Sequence, residues 1–156
     1  MLKITVIACG NKMPGWVGEA VREYTKRLRE FAHVQIIEIP LMKRSGASDI
    51  ERIMDKEAQQ IAHAIPGGAR VIALAINGQM FSSETLAARL ESLQQTSSHL
   101  CFIIGGPEGL ATRILARSQE LWSLSGLTLP HPLARVVLLE AIYRALAIIN
   151  HHPYHK

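Results

Sequence analysis

The 156-residue chain is poor in cysteine: Cys9 and Cys101 are the two it has. Two distant thiols make neither a disulfide framework nor, by themselves, a zinc site. Both lie in apolar runs and read as inert, buried thiols of a reducing compartment. A membrane-spanning run is also lacking. The most apolar segment, Val136 to Ile149, carries Glu140 and Arg144 and is too short to cross a bilayer. "VIAC", Val6 to Cys9, has the look of a lipoprotein cleavage box. The apolar stretch before it is too short for a signal-peptide core. A cytoplasmic location is expected. Internal repeats, low-complexity stretches and linkers are missing too, so residues 1–156 are expected to form one domain. No excess of one charge dominates. The formal net charge of +4 permits a nucleic-acid partner without requiring one.

Two phosphate-binding signatures are incomplete. "GNKMPGWVG", Gly10 to Gly18, has the Gly-x4-Gly spacing of a phosphate loop. Trp16 and Val17 stand where the phosphate lysine and the magnesium hydroxyl belong, which excludes a nucleoside triphosphatase. "GGPEG", Gly105 to Gly109, lacks the G-x-G-x-x-G spacing of a dinucleotide fold.

What the chain does contain is an alternation of two periods. "LKITVIAC", "VQIIEIP", "ARVIALAI" and "HLCFIIGG" read as strands, the last two continuously apolar. Between them lie amphipathic stretches that read as helices. One opens with the capping box Ser48 to Glu51, and another, "SSETLAARLESLQQ", with a serine cap. "GLATRILARSQE" reads as a further helix, and "LWSLSGLTLP" as neither period. Such a pattern implies an α/β fold with a mostly parallel sheet and helices on both faces. The basic loop Leu41 to Ser48 reads as an exposed connection. In the last helix Val136, Val137, Leu138, Leu139, Ile142, Leu146, Ile148 and Ile149 run nearly all the way round. A second subunit is the expected cover, with deep burial in one chain as the alternative.

The functional signal begins at "IIGGPEG". Two glycines at a strand end leave bare backbone, and ligands of parallel sheets bind outside the carboxyl ends of strands. A tight turn would use the same residues. Further on, Ser123, Ser125, Gly126 and Thr128 alternate with Leu124, Leu127 and Leu129, and His131 stands between Pro130 and Pro132. Small and apolar residues beside a glycine turn suit a flat apolar ligand such as an adenine nucleoside. They suit a polyphosphate poorly, because the loop holds no cation.

The combination "IIGGPEG…WSLSGLTLPHPLARVVLLEAIYRA…HPYH" resembles the RlmH family of SPOUT methyltransferases. The likeness spans essentially the whole chain, including Lys12 to Val17, Ile37 to Pro40 and Asp49 to Glu57. It implies an S-adenosylmethionine-dependent enzyme that methylates N3 of a pseudouridine in helix 69 of 23S ribosomal RNA, on assembled ribosomes. It also implies a homodimer, a C-terminal trefoil knot and no metal. In this reading Gly105 and Gly106 form one wall of the donor pocket. Leu124, Ser125, Gly126, Leu127, Thr128 and Leu129 form the other, and Leu74 the floor. The family pattern has Asn where this chain has His151.

Methyl transfer from a sulfonium needs an aligned nucleophile and a base for the N3 proton. Glu140, His131 and His155 are candidate bases. Glu140 and Arg144, four apart, also suit a plain helical ion pair. Tyr154 is placed to stack on a base and His155 to act near neutral pH. A tail leaving the last helix could reach a partner's pocket, or could pack on its own chain. His151, His152 and His155 lack the fourth ligand of a zinc site. Two rival readings use the same residues: a non-catalytic ribosome-binding or assembly factor, and a small nucleotide-binding enzyme of flavodoxin type.

Overall fold

A computed structural model describes residues 1–44 and 49–156. Strands β1 (Leu2–Cys9), β2 (Ala32–Ile39), β3 (Arg70–Gln79), β4 (His99–Ile104) and β5 (Glu120–Trp122) alternate with helices α1 (Gly15–Leu28), α2 (Ile50–Ala64), α3 (Ser83–Thr96) and α4 (Thr112–Arg117); α5 (His131–Ile149) follows. Each strand-to-strand connection carries a helix, so every pairing is parallel. The strand order is β2-β1-β4-β3-β5. This is the α/β architecture that the alternation implies. β2 is longer than "VQIIEIP", and α4 is a single short helix of six residues.

Strand order decides where the helices go. β1→β2 and β3→β4 step toward one edge of the sheet; β2→β3 and β4→β5 step toward the other. A right-handed crossover then puts α1 and α3 on one face and α2 and α4 on the opposite face. The side chains follow. Ile4, Val6, Leu100 and Phe102 pack with Leu28 of α1 and Leu90 of α3. Their strand neighbours Ile7, Cys101 and Ile103 pack with Ala58 and Ile61 of α2 and Ile114 of α4. Burial drives the Cys9 thiol up to about 11 and the Cys101 thiol up to about 12, so both are unreactive.

The slot between α1 and α3 is filled by α5, which packs on both helices and on β4. That explains its apolar circumference. Ile142 and Leu146 are buried within one chain, while Val136, Val137, Ile148 and Ile149 stay partly exposed. The chain itself therefore covers most of the helix, and the inference from apolarity to a second subunit loses its force.

Local signals set the helix starts. Ser82 caps α3 by accepting from Thr85 N, and Thr85 returns the bond in a capping box. For α2 the N-cap is Asp49, which accepts from Arg52 N at 3.2 Å; the expected cap Ser48 lies outside the described residues. Three-residue β5 is pinned by Glu120. Its carboxylate accepts from Arg70 at 3.1 Å, from Arg89, and from the Trp122 indole at 2.9 Å. The Trp122 ring is wedged between Phe81 and Phe102.

Burial pushes the Glu120 carboxyl up, but hydrogen bonds from Arg89, Trp122 and Arg70 outweigh it and leave the group below its ordinary 4.5. The unfolded chain therefore binds the proton first as pH falls. Stability from Glu120 is complete above the ordinary value and is lost as pH drops through the lower folded one. Glu120→Gln should lower stability at neutral pH and flatten its pH dependence from the ordinary carboxylate range downward. Denaturant titrations at stepped pH read both effects.

Candidate active site

The segments assigned to the methyl donor leave the sheet at one edge. Leu74 is in register with Trp122, two residues before Leu124. Gly105 continues β4, the neighbour of β3. The loop after β5 is tied to itself: Ser123 Oγ donates to Ser125 O, and Ser125 Oγ accepts from Leu127 N at 2.9 Å. Two of its serines thus have local partners. Leu124 and Leu129 pack against the core, whereas Leu127 is 77% exposed. A side chain added at Gly126 would meet nothing within 4 Å, so the loop has open space on that side.

The glycine turn serves the chain before any ligand. Gly109 N donates to Gly106 O at 3.0 Å, closing the turn. A Cβ on Gly105 would lie 2.6 Å from the Gly109 carbonyl carbon, so even alanine there must shift backbone. A Cβ on Gly106 would press on Leu41 at 2.9 Å and lie near Arg44. Glycine is thus required at Gly105 by the backbone it packs on, whereas at Gly106 the Leu41 side chain could give way. Arg44 itself is mostly buried between two carboxylates, Glu57 and Glu108. The expectation of an exposed basic loop fails at this residue.

The catalytic candidates form one cluster. Glu140 Oε2 accepts from Arg144 Nη2 at 2.9 Å, from Arg144 Nε, and from the Tyr154 hydroxyl at 2.8 Å. Arg144 Nη1 lies 3.1 Å from His155 Nδ1, and His155 Nε2 lies 3.1 Å from Glu84 on α3. The Tyr154 ring packs on Tyr143, with the Arg144 guanidinium 4.8 Å from its centre. Burial, then bonds to Tyr24 and Glu140, raise the Tyr154 hydroxyl well above its ordinary value. The tail therefore docks on its own chain. His131 stands apart. It begins α5, about 13 Å of helix rise before Glu140. Its ring lies against Gly10, and burial and nearby Arg135 lower its pKa.

A cavity beside the cluster reaches the start of the β5 loop, though Leu74, Gly105, Gly106 and Ser125 to Leu129 do not line it. Ser123 and Leu124 of the β5 loop line it together with Phe81, Ser83, Glu140 and Arg144. Phe81, Ser83 and Glu84 carry no sequence signal beyond a helix cap. The three tail histidines face different neighbours: His152 is edge-on to Phe31, His155 meets Arg144, and His151 is exposed. Among the described residues no cluster of three metal-ligating side chains occurs, and no helix is long and apolar enough to cross a membrane.

The fold is an open parallel α/β sheet whose loops gather at one carboxyl edge beside a charged cluster, the place where such sheets bind their ligands. The model of the predicted SPOUT methyltransferase family matches residues 2–155. Relatives called "Ribosomal RNA large subunit methyltransferase H" are 59% identical in Legionella pneumophila (strain Paris), over 100% of both chains, and 48% identical in Dichelobacter nodosus, over 99% of both. The chain belongs to the SPOUT methyltransferases, in their RlmH family. A solved structure described as a probable methylase family protein from Haemophilus influenzae Rd KW20 is 13% identical, with a TM-score of 0.58. The match covers 99% of this chain and 70% of that one, and at such identity it shows the fold alone.

The departure at His151 has a conformational reading. His151 N donates to Ile148 O and His152 N to Ala147 O, the two bonds of a Schellman motif. His151 is its left-handed residue, with φ at 56°. Asn and His both tolerate that region, so the swap keeps the turn. His151→Val should cost about 1–2 kcal/mol in thermal unfolding, because a branched side chain is strained there. His151→Asn should be close to neutral.

Proposed function

We propose that the chain transfers a methyl group from S-adenosylmethionine to N3 of a pseudouridine in helix 69 of 23S ribosomal RNA, within assembled ribosomes. The substrate follows from the family resemblance, and an RNA target agrees with the name that the relatives carry. The cytoplasmic location, the homodimer and the C-terminal trefoil knot belong to the same reading. The carrying observation is the cavity where Ser123 and Leu124 meet Glu140 and Arg144. A direct transfer needs donor and acceptor in one space.

In this reading Gly105 and Gly106 form one wall of the donor site and the β5 loop the other, where open space at Gly126, exposed Leu127 and the apolar side chain of Leu124 suit the donor. Bound there, S-adenosylmethionine supplies an electrophilic methyl group on its sulfonium. This chain's own groups must hold the acceptor ring and take its N3 proton. Glu140 is the base that fits best. Its Oε2 is occupied by Arg144 and Tyr154, and its Oε1 accepts from none of the described residues. Oε1 takes the N3 proton while Arg144 holds the carboxylate in place. The Tyr154 ring, packed on Tyr143 beside Arg27 and Arg144, could stack on a base once Arg27 moves aside. The apolar residues that α5 leaves partly exposed, Val136, Val137, Ile148 and Ile149, suit a homodimer contact.

Gly126→Leu tests the donor loop, since a Cβ there meets nothing within 4 Å. It should abolish S-adenosylmethionine binding in calorimetry with an unchanged unfolding temperature. Unchanged donor affinity would remove the donor from this loop. Deleting Tyr154 to Lys156 tests the acceptor side. A lost base stack is worth about 1–3 kcal/mol, so methylation of unmodified ribosomes should fall roughly ten- to a hundredfold. Donor affinity should stay near normal. Full tritium transfer by the truncated protein would end any role for the tail. A wild-type chain that binds ribosomes but no donor would favour the assembly-factor reading.

A further inference from the structure

We infer that Arg44 is a positioning residue for methyl-donor binding: it holds the glycine turn Gly105–Gly109 in its binding shape by forking between Glu57 and Glu108. The inference rests on the proposed reading in which Gly105 and Gly106 form a wall of the donor site, and adds a residue outside that site.

The turn has little to hold it. Three of its five residues are glycine, Gly109 lies at φ 81°, and one backbone bond closes it. Its single charged side chain is Glu108. Both Glu108 oxygens accept from Arg44 Nε at 3.0 Å, and Oε1 also accepts from Nη2 at 2.7 Å. The remaining guanidinium edge is committed elsewhere. Nη1 and Nη2 each donate to Glu57 at 3.0 Å, and Nη1 to the Met42 carbonyl at 2.8 Å. Glu57 is 5% exposed and also accepts from Met42 N, so it is a fixed anchor on α2. Arg44 thus ties a mobile type of sequence to a rigid helix. Gly106 lies beside the fork, since a Cβ there would be 3.6 Å from Arg44 Nη2 and would push on the Leu41 side chain. The ion pair holds the Glu108 carboxyl below its ordinary range, as a persistent contact should.

The consequence is a population effect. Apparent affinity scales with the fraction of chains whose turn is already in the binding shape. A glycine-rich turn released from its tether samples many others, because glycine has the largest conformational freedom to lose. Arg44 touches neither Glu140 nor the tail, so its loss leaves the transfer step alone once donor is bound.

Calorimetry with S-adenosylmethionine on Arg44→Gln, Glu108→Gln and the double variant tests this. Glu108→Gln keeps the buried Arg44–Glu57 pair, so folding is preserved in at least that variant. Each single change should weaken donor binding about tenfold, and the double no more than either. At saturating donor, turnover on ribosomes and the ribosome KM should match wild type, which a general loss of folding would not allow. Arg44→Lys should not rescue, since an ammonium cannot fork between two carboxylates. The inference falls if folded Glu108→Gln binds donor within twofold of wild type, or if the two changes multiply. It also falls if the ribosome KM moves instead, which would make Arg44 an RNA contact. Absence of donor binding by the wild-type chain would instead overturn the donor site itself.

Discussion

Parallel strands must be joined by right-handed crossovers, and with strand order β2-β1-β4-β3-β5 that handedness leaves a slot between α1 and α3. Much else depends on filling it. A two-helix layer over five strands would expose Val6, Phe102 and their neighbours; α5 covers them. Lying between two helices and a sheet, α5 can afford few polar residues. Its buried charge is Arg135, which is 3% exposed. Its guanidinium donates to Glu38 at 2.6 Å and to the Gly10 carbonyl at 3.0 Å, at the carboxyl ends of β2 and β1. The helix is thereby fixed along its axis as well as across it. The same placement carries Glu140 and Arg144 to the cavity beside the β5 loop.

The fold was largely legible from residues because local chemistry and packing agree. Continuous apolar runs at Val71–Ala73 and Leu100–Ile104 are strands buried on both faces, and Ser82 caps α3 as its position implies. Where reading the residues fell short, the missing information was non-local. The apolar circumference of α5 is the same whether a partner or the chain's own α1 and α3 provide the cover. Periodicity cannot tell these apart, and strand order can. Likewise Gly105 and Gly106 mark close approach. A sequence does not say whether the approaching group is a ligand or the chain's own Gly109, Leu41 and Arg44.

The candidate site was legible in parts. Its members Glu140, Arg144, Tyr154 and His155 do meet, because a Schellman turn at His151 folds the tail back along α5. Arg44, Glu57 and Glu108 gave no signal as a group, since they are far apart in sequence. A glutamate inside a glycine turn was the one clue, because a turn needing only bare backbone has no use for a carboxylate.

The two charged clusters differ in how firmly they are held. In the tail, Arg144 and Glu140 are each about a third exposed, and Glu84 is largely exposed. Ion pairs of that kind contribute about 0–1 kcal/mol, because water competes for both partners. The fork at Arg44 is more enclosed, with Glu57 almost wholly buried, and breaking a buried pair costs far more. In the proposed reading, a large RNA partner would therefore replace tail contacts at small cost. The Arg27 guanidinium, 5.8 Å from the Tyr154 ring centre, lies farther off than that of Arg144 and is the easier one for a base to displace. The turn anchored by Arg44 stays in place meanwhile. In that reading, a rigid wall on the donor side and a yielding rim on the acceptor side would suit an enzyme whose small ligand always has the same shape and whose large one must be fitted on arrival.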